Sequence, residues 1–144
     1  MTTLDCARYT RDGVTIVSAA GDIDLDSAPR LRDALCEAIR EPRPNVLLDL
    51  TAVGFVDSTG LAVLLASFRQ ARALGGSLRM VVPPRPSIVR KVIEITGLNR
   101  LFTVYASLAE AQERAASPLP QLSVPTGTNV PAEALARQPD GTEI

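Results

Sequence analysis

The sequence predicts an α/β domain with a mixed, mostly parallel β-sheet, an N-terminal antiparallel hairpin and about four helices. Short apolar, β-prone segments alternate with segments whose apolar residues recur every three or four positions, in the order β-β-α-β-α-β-α-β-α. Strands separated by helices need crossover connections, and these place the strands parallel in one sheet. From residue 117 the composition changes to scattered Pro, Gly, Thr and Ser without an apolar face. We therefore expect one folded domain over residues 4–116 and a flexible Pro-rich tail over residues 117–144.

The hairpin is predicted by Asp12-Gly13, since this dipeptide favours the positive φ angles of a tight turn. The strands on either side cover residues 4–9 and 14–20. The first helix starts at Ser27, whose hydroxyl can cap the free N–H groups, with Pro29 in the first turn. Its apolar stripe consists of Leu31, Ala34, Leu35, Ala38 and Ile39.

The third strand is predicted over residues 46–50, where Val-Leu-Leu-Asp-Leu shows little alternation, as expected for a strand covered on both faces. It should lie in the centre of the sheet, followed by a connection over residues 51–56. For Asp49 we favour a structural role, in which its carboxylate accepts backbone N–H bonds of the following turn, over a direct partner contact. The next helix ends at Gly75-Gly76 and carries the stripe Leu61, Leu64, Leu65 and Phe68.

The remaining predicted elements are shorter. A strand over residues 77–82 precedes a helix that ends at Gly97 and should bury a face made of Ile88, Val92 and Ile95. A last strand covers residues 102–105. Ser107 and Glu110 have the spacing of a capping box, which predicts a final helix to about Ala116.

The composition excludes several classes of function. The 15 basic and 16 acidic side chains give a net charge of −1, so no strong field attracts nucleic acid or an anionic membrane surface. The absence of histidine excludes Ser-His-Asp, Cys-His and His-based metal sites. No apolar run approaches the ~18 residues of a membrane span, and the first residues do not read as a secretory signal. We expect a cytoplasmic, reduced protein in which the two cysteines, Cys6 and Cys36, are small buried hydrophobic residues.

Asp57-Ser58-Thr59-Gly60 is the richest candidate site, since it lies between a buried strand and a helix N-terminus. The spacing alone favours a helix cap, because Ser, Thr and Asp prefer that position. A phosphoryl group on Ser58 would also suit this place, since the helix dipole and free N–H groups stabilise anions, although Asp57 would oppose it. Serine hydrolysis is disfavoured, since Ser58 has neither a histidine nor the glycines of a nucleophile elbow.

A second candidate is the acidic run Asp22, Asp24 and Asp26. It begins with the spacing of a calcium loop, yet Ser27 stands where that loop needs glycine and Asp33 where it needs glutamate. The sequence also lacks a Gly-rich phosphate loop, so we expect no bound metal and no cofactor. Carboxylates on a loop at a strand end are nevertheless well placed to contact a partner.

Three segments of the chain together resemble one known family. Residues 46–61, which read VLLDLTAVGFVDSTGL, resemble the central signature of STAS domains of the anti-sigma factor antagonist family. Residues 21–24, GDID, with the helix start APRL at 28–31, resemble its first loop, and residues 96–102, TGLNRLF, resemble its late segment. The similarity runs through about residues 4–116 in the family's order and implies the STAS fold.

The resemblance implies a partner-switching regulator without catalytic activity of its own. In the family, the unphosphorylated antagonist binds an anti-sigma factor that is also an ATP-dependent serine kinase, and the sigma factor is released. Phosphorylation of the serine matching Ser58 ends that binding, and a serine phosphatase restores it. Ser58 is thus the expected phosphorylation site, and the expected partner-binding residues are Asp22, Asp24, Asp57, Ser58, Thr59 and Gly60.

Two other functions remain open at this point. A STAS-like domain can also be a non-enzymatic subunit of a lipid-transport ATPase complex, although the Asp-Ser-Thr-Gly acceptor argues against this. An enzyme of unknown type is disfavoured by the missing histidine and phosphate loop. The Pro-rich segment after residue 116 departs from many single-domain members and leaves room for an additional role.

Overall fold

The computed structural model describes residues 3–116, 139–140 and 142–143. The helices and strands of its first part are β1 (Leu4–Arg11), β2 (Val14–Ile23), α1 (Ala28–Ile39), β3 (Asn45–Val56), α2 (Ser58–Ala73), β4 (Ser77–Val81), α3 (Ile88–Thr96), α4 (Leu98–Leu101), β5 (Val104–Tyr105) and α5 (Leu108–Ala116). Two further short strands, β6 (Pro139–Asp140) and β7 (Thr142–Glu143), pair with each other. The other residues of the predicted tail lie outside the described residues.

The main sheet has five strands in the order β1-β2-β3-β4-β5. β1 runs antiparallel to β2, and the other neighbours are parallel, which confirms the predicted mixed sheet with its N-terminal hairpin. The hairpin turns at Asp12 and Gly13, whose φ angles are 53° and 80°, as the dipeptide predicts. β3 lies in the centre of the sheet, also as predicted.

β3 is longer than the sequence predicts, because residues 51–56 continue the strand instead of forming a connection. β2 is also long, and its ladder with β3 passes two irregularities before Asp22 pairs with Phe55 and Ile23 with Val56. β4 pairs with β3 only as far as Asp49. The ends of β2 and β3 therefore extend past β4, side by side.

α1 and α2 pack against each other and cover one face of the sheet. Their buried side chains join those of β2, β3 and β4 in one core, whose main members include Leu31, Leu35, Ile39, Leu64, Phe68, Val17, Leu48 and Met80. Full burial of one such leucine contributes roughly 1.5–3 kcal/mol. The predicted stripe of α1 is confirmed, with Ala34 at its half-buried edge, whereas Leu61 and Leu65 of α2 are only half-buried.

α3 turns a different face to the core from the one predicted. Val89 and Ile93 are buried, whereas Ile88 and Ile95 are 62% and 74% exposed and Val92 is half-buried. The sequence carries two apolar stripes one position apart, and either could serve as the buried face of an amphipathic helix. The periodicity alone therefore could not select the correct one.

Polar contacts of Arg90 fix the rotation of α3. Ser87 Oγ accepts the backbone N–H of Arg90 at 3.1 Å, and the Arg90 guanidinium donates through Nε to the Pro83 carbonyl oxygen at 2.7 Å. Its Nη1 also lies 3.8 Å from Oε2 of Glu94. α3 ends at Gly97 with a φ of 80°, as predicted, and is followed by α4, a single turn that the sequence analysis does not foresee.

The capping box predicted for α5 is present with one change. Ser107 Oγ accepts the backbone N–H of Glu110 at 3.1 Å. The Glu110 carboxylate accepts the N–H of Ala106 at 3.2 Å, one residue before the position that the motif usually uses.

The prediction that both cysteines are buried is wrong for Cys36. Cys36 is exposed because it follows the buried Leu35 by one position and so lies off the apolar stripe of α1. Cys6 on β1 is half-buried. Burial raises the pKa of the Cys6 thiol, opposed by the charge of Arg30 and reinforced by that of Asp5.

Candidate functional site

The structure brings the two predicted loops together at the carboxyl ends of β2 and β3. The backbone N–H of Asp57 donates a 3.0 Å hydrogen bond to the carbonyl oxygen of Ile23. Asp22 and Asp24 flank Ile23, and Ser58 follows Asp57 at the start of α2. We call this region the Ser58 surface and define it by Asp22, Asp24, Asp57, Ser58 and Thr59.

Asp57 caps α2. The spacing of Asp57-Ser58-Thr59-Gly60 favours a helix cap but does not say which residue provides it. Its Oδ1 accepts the backbone N–H of Gly60 at 3.0 Å, and its carbonyl oxygen accepts that of Leu61 at 3.0 Å. Ser58 is the first residue of the helix, and its exposed hydroxyl makes no hydrogen bond to any residue that the structure describes. The cap and the candidate acceptor are therefore different residues, so Ser58 can be modified without loss of the cap.

Gly60 fixes how closely the start of α2 approaches the strands. It is buried, and a Cβ at this position would lie 2.5 Å from Cγ2 of Ile23 and 2.8 Å from Cγ2 of Val56. Any side chain would force the helix away from the strand ends. Because Gly60 is buried, it could act on a partner only by positioning Ser58.

The first loop is held by its own hydrogen bonds. The Asp24 carboxylate accepts the backbone N–H groups of Asp26 and Ser27, each at 3.0 Å. The hydroxyl of Ser27 accepts the Asp24 N–H at 2.9 Å and donates to the Asp22 carbonyl oxygen at 2.7 Å. Ser27 occupies the N-cap position of α1 but makes no side-chain cap bond, so the predicted capping by its hydroxyl is wrong. The hydroxyl instead closes the loop that carries the aspartates.

Asp22 and Asp24 have different environments within this loop. The Asp24 carboxylate accepts hydrogen bonds from the loop backbone. The Asp22 carboxylate extends over Gly54, and its Oδ1 would lie 3.5 Å from a Cβ added to that glycine. Asp22 is half-buried, and its carboxylate has no hydrogen bond or ion pair within the described part of the chain. Of the two, Asp22 is thus the carboxylate available to a partner.

Asp49 has the structural role predicted for it and lies away from the Ser58 surface. Its Oδ1 accepts the backbone N–H of Thr51 at 3.0 Å and the Thr51 hydroxyl at 2.7 Å. It is only 7% exposed. The donor residue Thr51 belongs to β3 itself and not to a turn, because the strand continues.

Two exposed apolar side chains beside the Ser58 surface were missed by the sequence analysis. Leu25, in the first loop, is 71% exposed, and Phe55, near the end of β3, is 43% exposed. The predicted connection over residues 51–56 did not define the direction of the Phe55 side chain. In the structure this direction is defined because β3 continues to Val56. Strand alternation could not have found Phe55, because Val53 and Val56 are buried three positions apart, next to an irregularity of the β2–β3 ladder.

No metal or membrane site is found in the part of the chain that the structure describes. Residues 3–116 and the two short later strands contain no group of three His, Cys, Asp or Glu residues able to hold a metal ion. Among these residues, no helix has the length and apolar character needed to cross a bilayer.

Comparison with known proteins agrees with the topology of the sheet and its helices. Residues 6–111 match the model of the STAS domain family. The chain is a STAS domain protein of the anti-sigma factor antagonist family. The match covers β1 from Cys6 onward and all elements through β5, with both segments of the Ser58 surface.

Individual relatives of this STAS protein include proteins from three species. An anti-sigma-F factor antagonist of Mycobacterium tuberculosis is 33% identical over 100 residues, which cover 69% of this chain and 80% of that protein. An anti-sigma-B factor antagonist of Bacillus subtilis is 34% identical over 90 residues, covering 62% and 80%. The crystal structure of an anti-sigma factor antagonist from Mycobacterium paratuberculosis matches with a TM-score of 0.72 at 30% identity, covering 80% of this chain and 96% of that one.

Proposed function

We propose that this STAS protein is an anti-sigma factor antagonist that works by partner switching and is controlled by phosphorylation of Ser58. In its unphosphorylated form it binds an anti-sigma factor with ATP-dependent serine kinase activity in the cytoplasm, so that the sigma factor is released. A serine phosphatase reverses the modification. The protein is a substrate and a binding module in this cycle, not a catalyst.

The observation that carries the proposal is the state of Ser58. Its hydroxyl is exposed, has no hydrogen bond within the described residues, and lies at the N-terminus of a helix whose cap is the neighbouring Asp57. A kinase needs an accessible hydroxyl that can align with the γ-phosphate of ATP. The names of the relatives support the partner, since they are antagonists of anti-sigma factors.

The chemistry of the switch is simple for this chain. The Ser58 oxygen attacks the γ-phosphorus, the bond to the β-phosphate oxygen breaks, ADP leaves, and the hydroxyl proton passes to a base of the kinase. The phosphatase adds water across the new ester and releases inorganic phosphate. The dianion brings about −1.5 to −2 charges next to Asp57 and Asp22. In a close contact, this charge and the added bulk would weaken binding without any change of fold.

Phosphosite mapping tests the proposal. The protein is incubated with ATP and each purified anti-sigma factor of the serine-kinase class from the same genome, and the modified residue is located by mass spectrometry. We expect one phosphate, on Ser58, and none in Ser58→Ala. Thr59→Val is the matched control, since it removes the adjacent hydroxyl and should still be modified. Phosphate on Thr59 or on a serine after residue 116 would contradict the proposal.

A further inference from the structure

We infer that Leu25 and Phe55 are the apolar anchors by which the anti-sigma kinase holds the Ser58 surface. This inference rests on the proposed function and adds the residues that supply affinity. Leu25 and Phe55 are 71% and 43% exposed. They lie on the two segments that the Asp57 N–H to Ile23 carbonyl bond joins, one on each side of that bond.

The position of Leu25 and Phe55 relative to Ser58 is limited by the chain itself. Phe55 precedes Ser58 by three residues, so their Cα atoms are at most ~11 Å apart at 3.8 Å per residue. Leu25 follows Ile23 by two residues, and the Ile23 carbonyl oxygen is 3.0 Å from the N atom of Asp57. The Cα atoms of Leu25 and Ser58 are therefore within roughly 16 Å.

The identity of the occupant follows from the reaction at Ser58. A kinase that transfers phosphate to Ser58 must contact its hydroxyl directly. A specific interface covers about 800 Å² on each partner, which as a disc has a radius of ~16 Å. The distance bounds of Leu25 and Phe55 both fit such a disc centred on Ser58, so a kinase surface of standard size placed on Ser58 reaches both positions. The residues that carry most of the affinity of an interface cluster near its centre, in well-packed pockets from which water is excluded.

The charges nearby define the chemistry around the anchors. No Lys or Arg occurs over residues 12–29 or 44–68, so the two segments themselves carry carboxylates, hydroxyls and apolar groups, and the nearby basic side chains, Arg30 and Arg32, come from α1. The anchors would supply affinity through burial, and the carboxylate of Asp22 would supply a directional contact to a donor of the kinase. The proposed kinase surface is thus an apolar socket with hydrogen-bond donors at its rim.

Leu74 provides a matched control for Leu25. It is 47% exposed and lies just after the other end of α2. At 1.5 Å per residue it is ~24 Å along the helix from Ser58, outside a disc of standard size. Leu74→Ala removes the same side chain as Leu25→Ala but should leave the interface intact.

The test measures affinity and phosphorylation kinetics for Leu25→Ala, Phe55→Thr and Leu74→Ala with the anti-sigma kinase that modifies the wild type. Threonine at position 55 keeps a residue of high β-propensity in the strand, and thermal unfolding verifies that each variant is folded. We expect each anchor variant to bind at least tenfold more weakly, and Leu74→Ala to bind within twofold of the wild type. The KM of the kinase for this protein should rise and kcat should stay unchanged, because the lost contact stabilises the bound protein equally in the ground state and in the transition state.

The possible outcomes separate this inference from the proposed function. If the wild type is bound and phosphorylated, but folded Leu25→Ala and Phe55→Thr behave like Leu74→Ala, the anchors are wrong and the function stands. If no anti-sigma kinase binds the wild type, the function itself fails. A third outcome is that the variants lose self-association in ultracentrifugation but keep the kinase affinity of the wild type. The two side chains would then contact a second copy of this chain, and the inference would be overturned.

Discussion

Gly60 packs directly on Ile23, so that a Cβ on Gly60 would lie 2.5 Å from the Cγ2 of that isoleucine. This contact joins the start of α2 to the end of β2. A side chain at position 60 would push these two segments of the Ser58 surface apart. The contact therefore affects both the stability of the domain and its function.

We predict that Gly60→Ala destabilises the protein by about 1–3 kcal/mol, because the added methyl group overpacks a buried contact. Gly54→Ala is the control, since its Cβ would meet only Asp22 Oδ1 at an ordinary 3.5 Å. Urea unfolding monitored by circular dichroism gives both free energies. Equal stability of the two variants would show that the helix start can shift without cost.

Removal of the Asp57 side chain, which caps α2, should lower the stability of the protein. Removal of the hydroxyl of Ser58, the proposed phosphate acceptor, should not. Asp57→Ala loses the bond to the Gly60 N–H and should cost about 0.5–2 kcal/mol. Ser58→Ala removes an exposed hydroxyl without a described partner and should change the free energy of unfolding by no more than ~0.5 kcal/mol. Thermal or urea unfolding of both variants decides. A larger loss for Ser58→Ala than for Asp57→Ala would mean that Ser58 is structural.

Phosphorylation should weaken the complex by a local effect. We expect the phosphorylated protein to bind the anti-sigma kinase at least a hundredfold more weakly, which corresponds to ~2.8 kcal/mol. Ser58→Asp should mimic this in part, because a carboxylate has less charge and bulk than a phosphate. Calorimetry gives the affinities, and amide NMR shifts of the free proteins should change only near Ser58. Shift changes spread over the whole sheet would indicate an allosteric rearrangement, and an unchanged affinity would contradict partner switching.

The two cysteines should differ in their rate of alkylation. Cys36 is exposed, whereas Cys6 is half-buried, and burial raises the pKa of its thiol. A raised pKa lowers the thiolate fraction of Cys6 near neutral pH, and the thiolate is the reactive form. Iodoacetamide at pH 7.5 should therefore modify Cys36 first, and the Cys6 rate should rise as the pH increases and its thiolate forms. Mass spectrometry with Cys36→Ser as control checks the order, and equal rates would show that Cys6 is more accessible than the structure indicates.

The sequence was sufficient for the order of the elements apart from α4, and for a helix start at Asp-Ser-Thr-Gly, because both depend on local patterns. Asp12-Gly13, the stripe of α1 and the Asp-Ser-Thr-Gly element each act within a few residues. The length of β3 and the rotation of α3 depend on partners distant in the sequence. Residues 51–56 are a strand because β2 pairs with them, and Val89 is buried because Arg90 bonds to Pro83.

The division of roles within the candidate site was also beyond local reasoning. Asp57, Ser58 and Thr59 are all good N-cap residues, so spacing alone cannot say which one caps α2. The main-chain bond from Asp57 to Ile23 sets where the helix begins and leaves Ser58 one position inside it. Likewise, Ser27 lies at the start of α1, but its hydroxyl turns to the Asp22 carbonyl.

The early end of β4 has a consequence for access to the acceptor. β3 pairs with β4 only through Asn45–Asp49, and beyond that point it pairs only with β2, which β1 flanks on its other side as far as Gly21. At ~3.3 Å per residue, the end of β3 and the start of α2 lie roughly 20 Å past the last β3–β4 pair. Ile23, Val53 and Val56 are buried there, so Ser58 is exposed at the edge of a packed part of the core. A phosphatase can therefore reach the phosphoserine at this rigid edge without unfolding the domain.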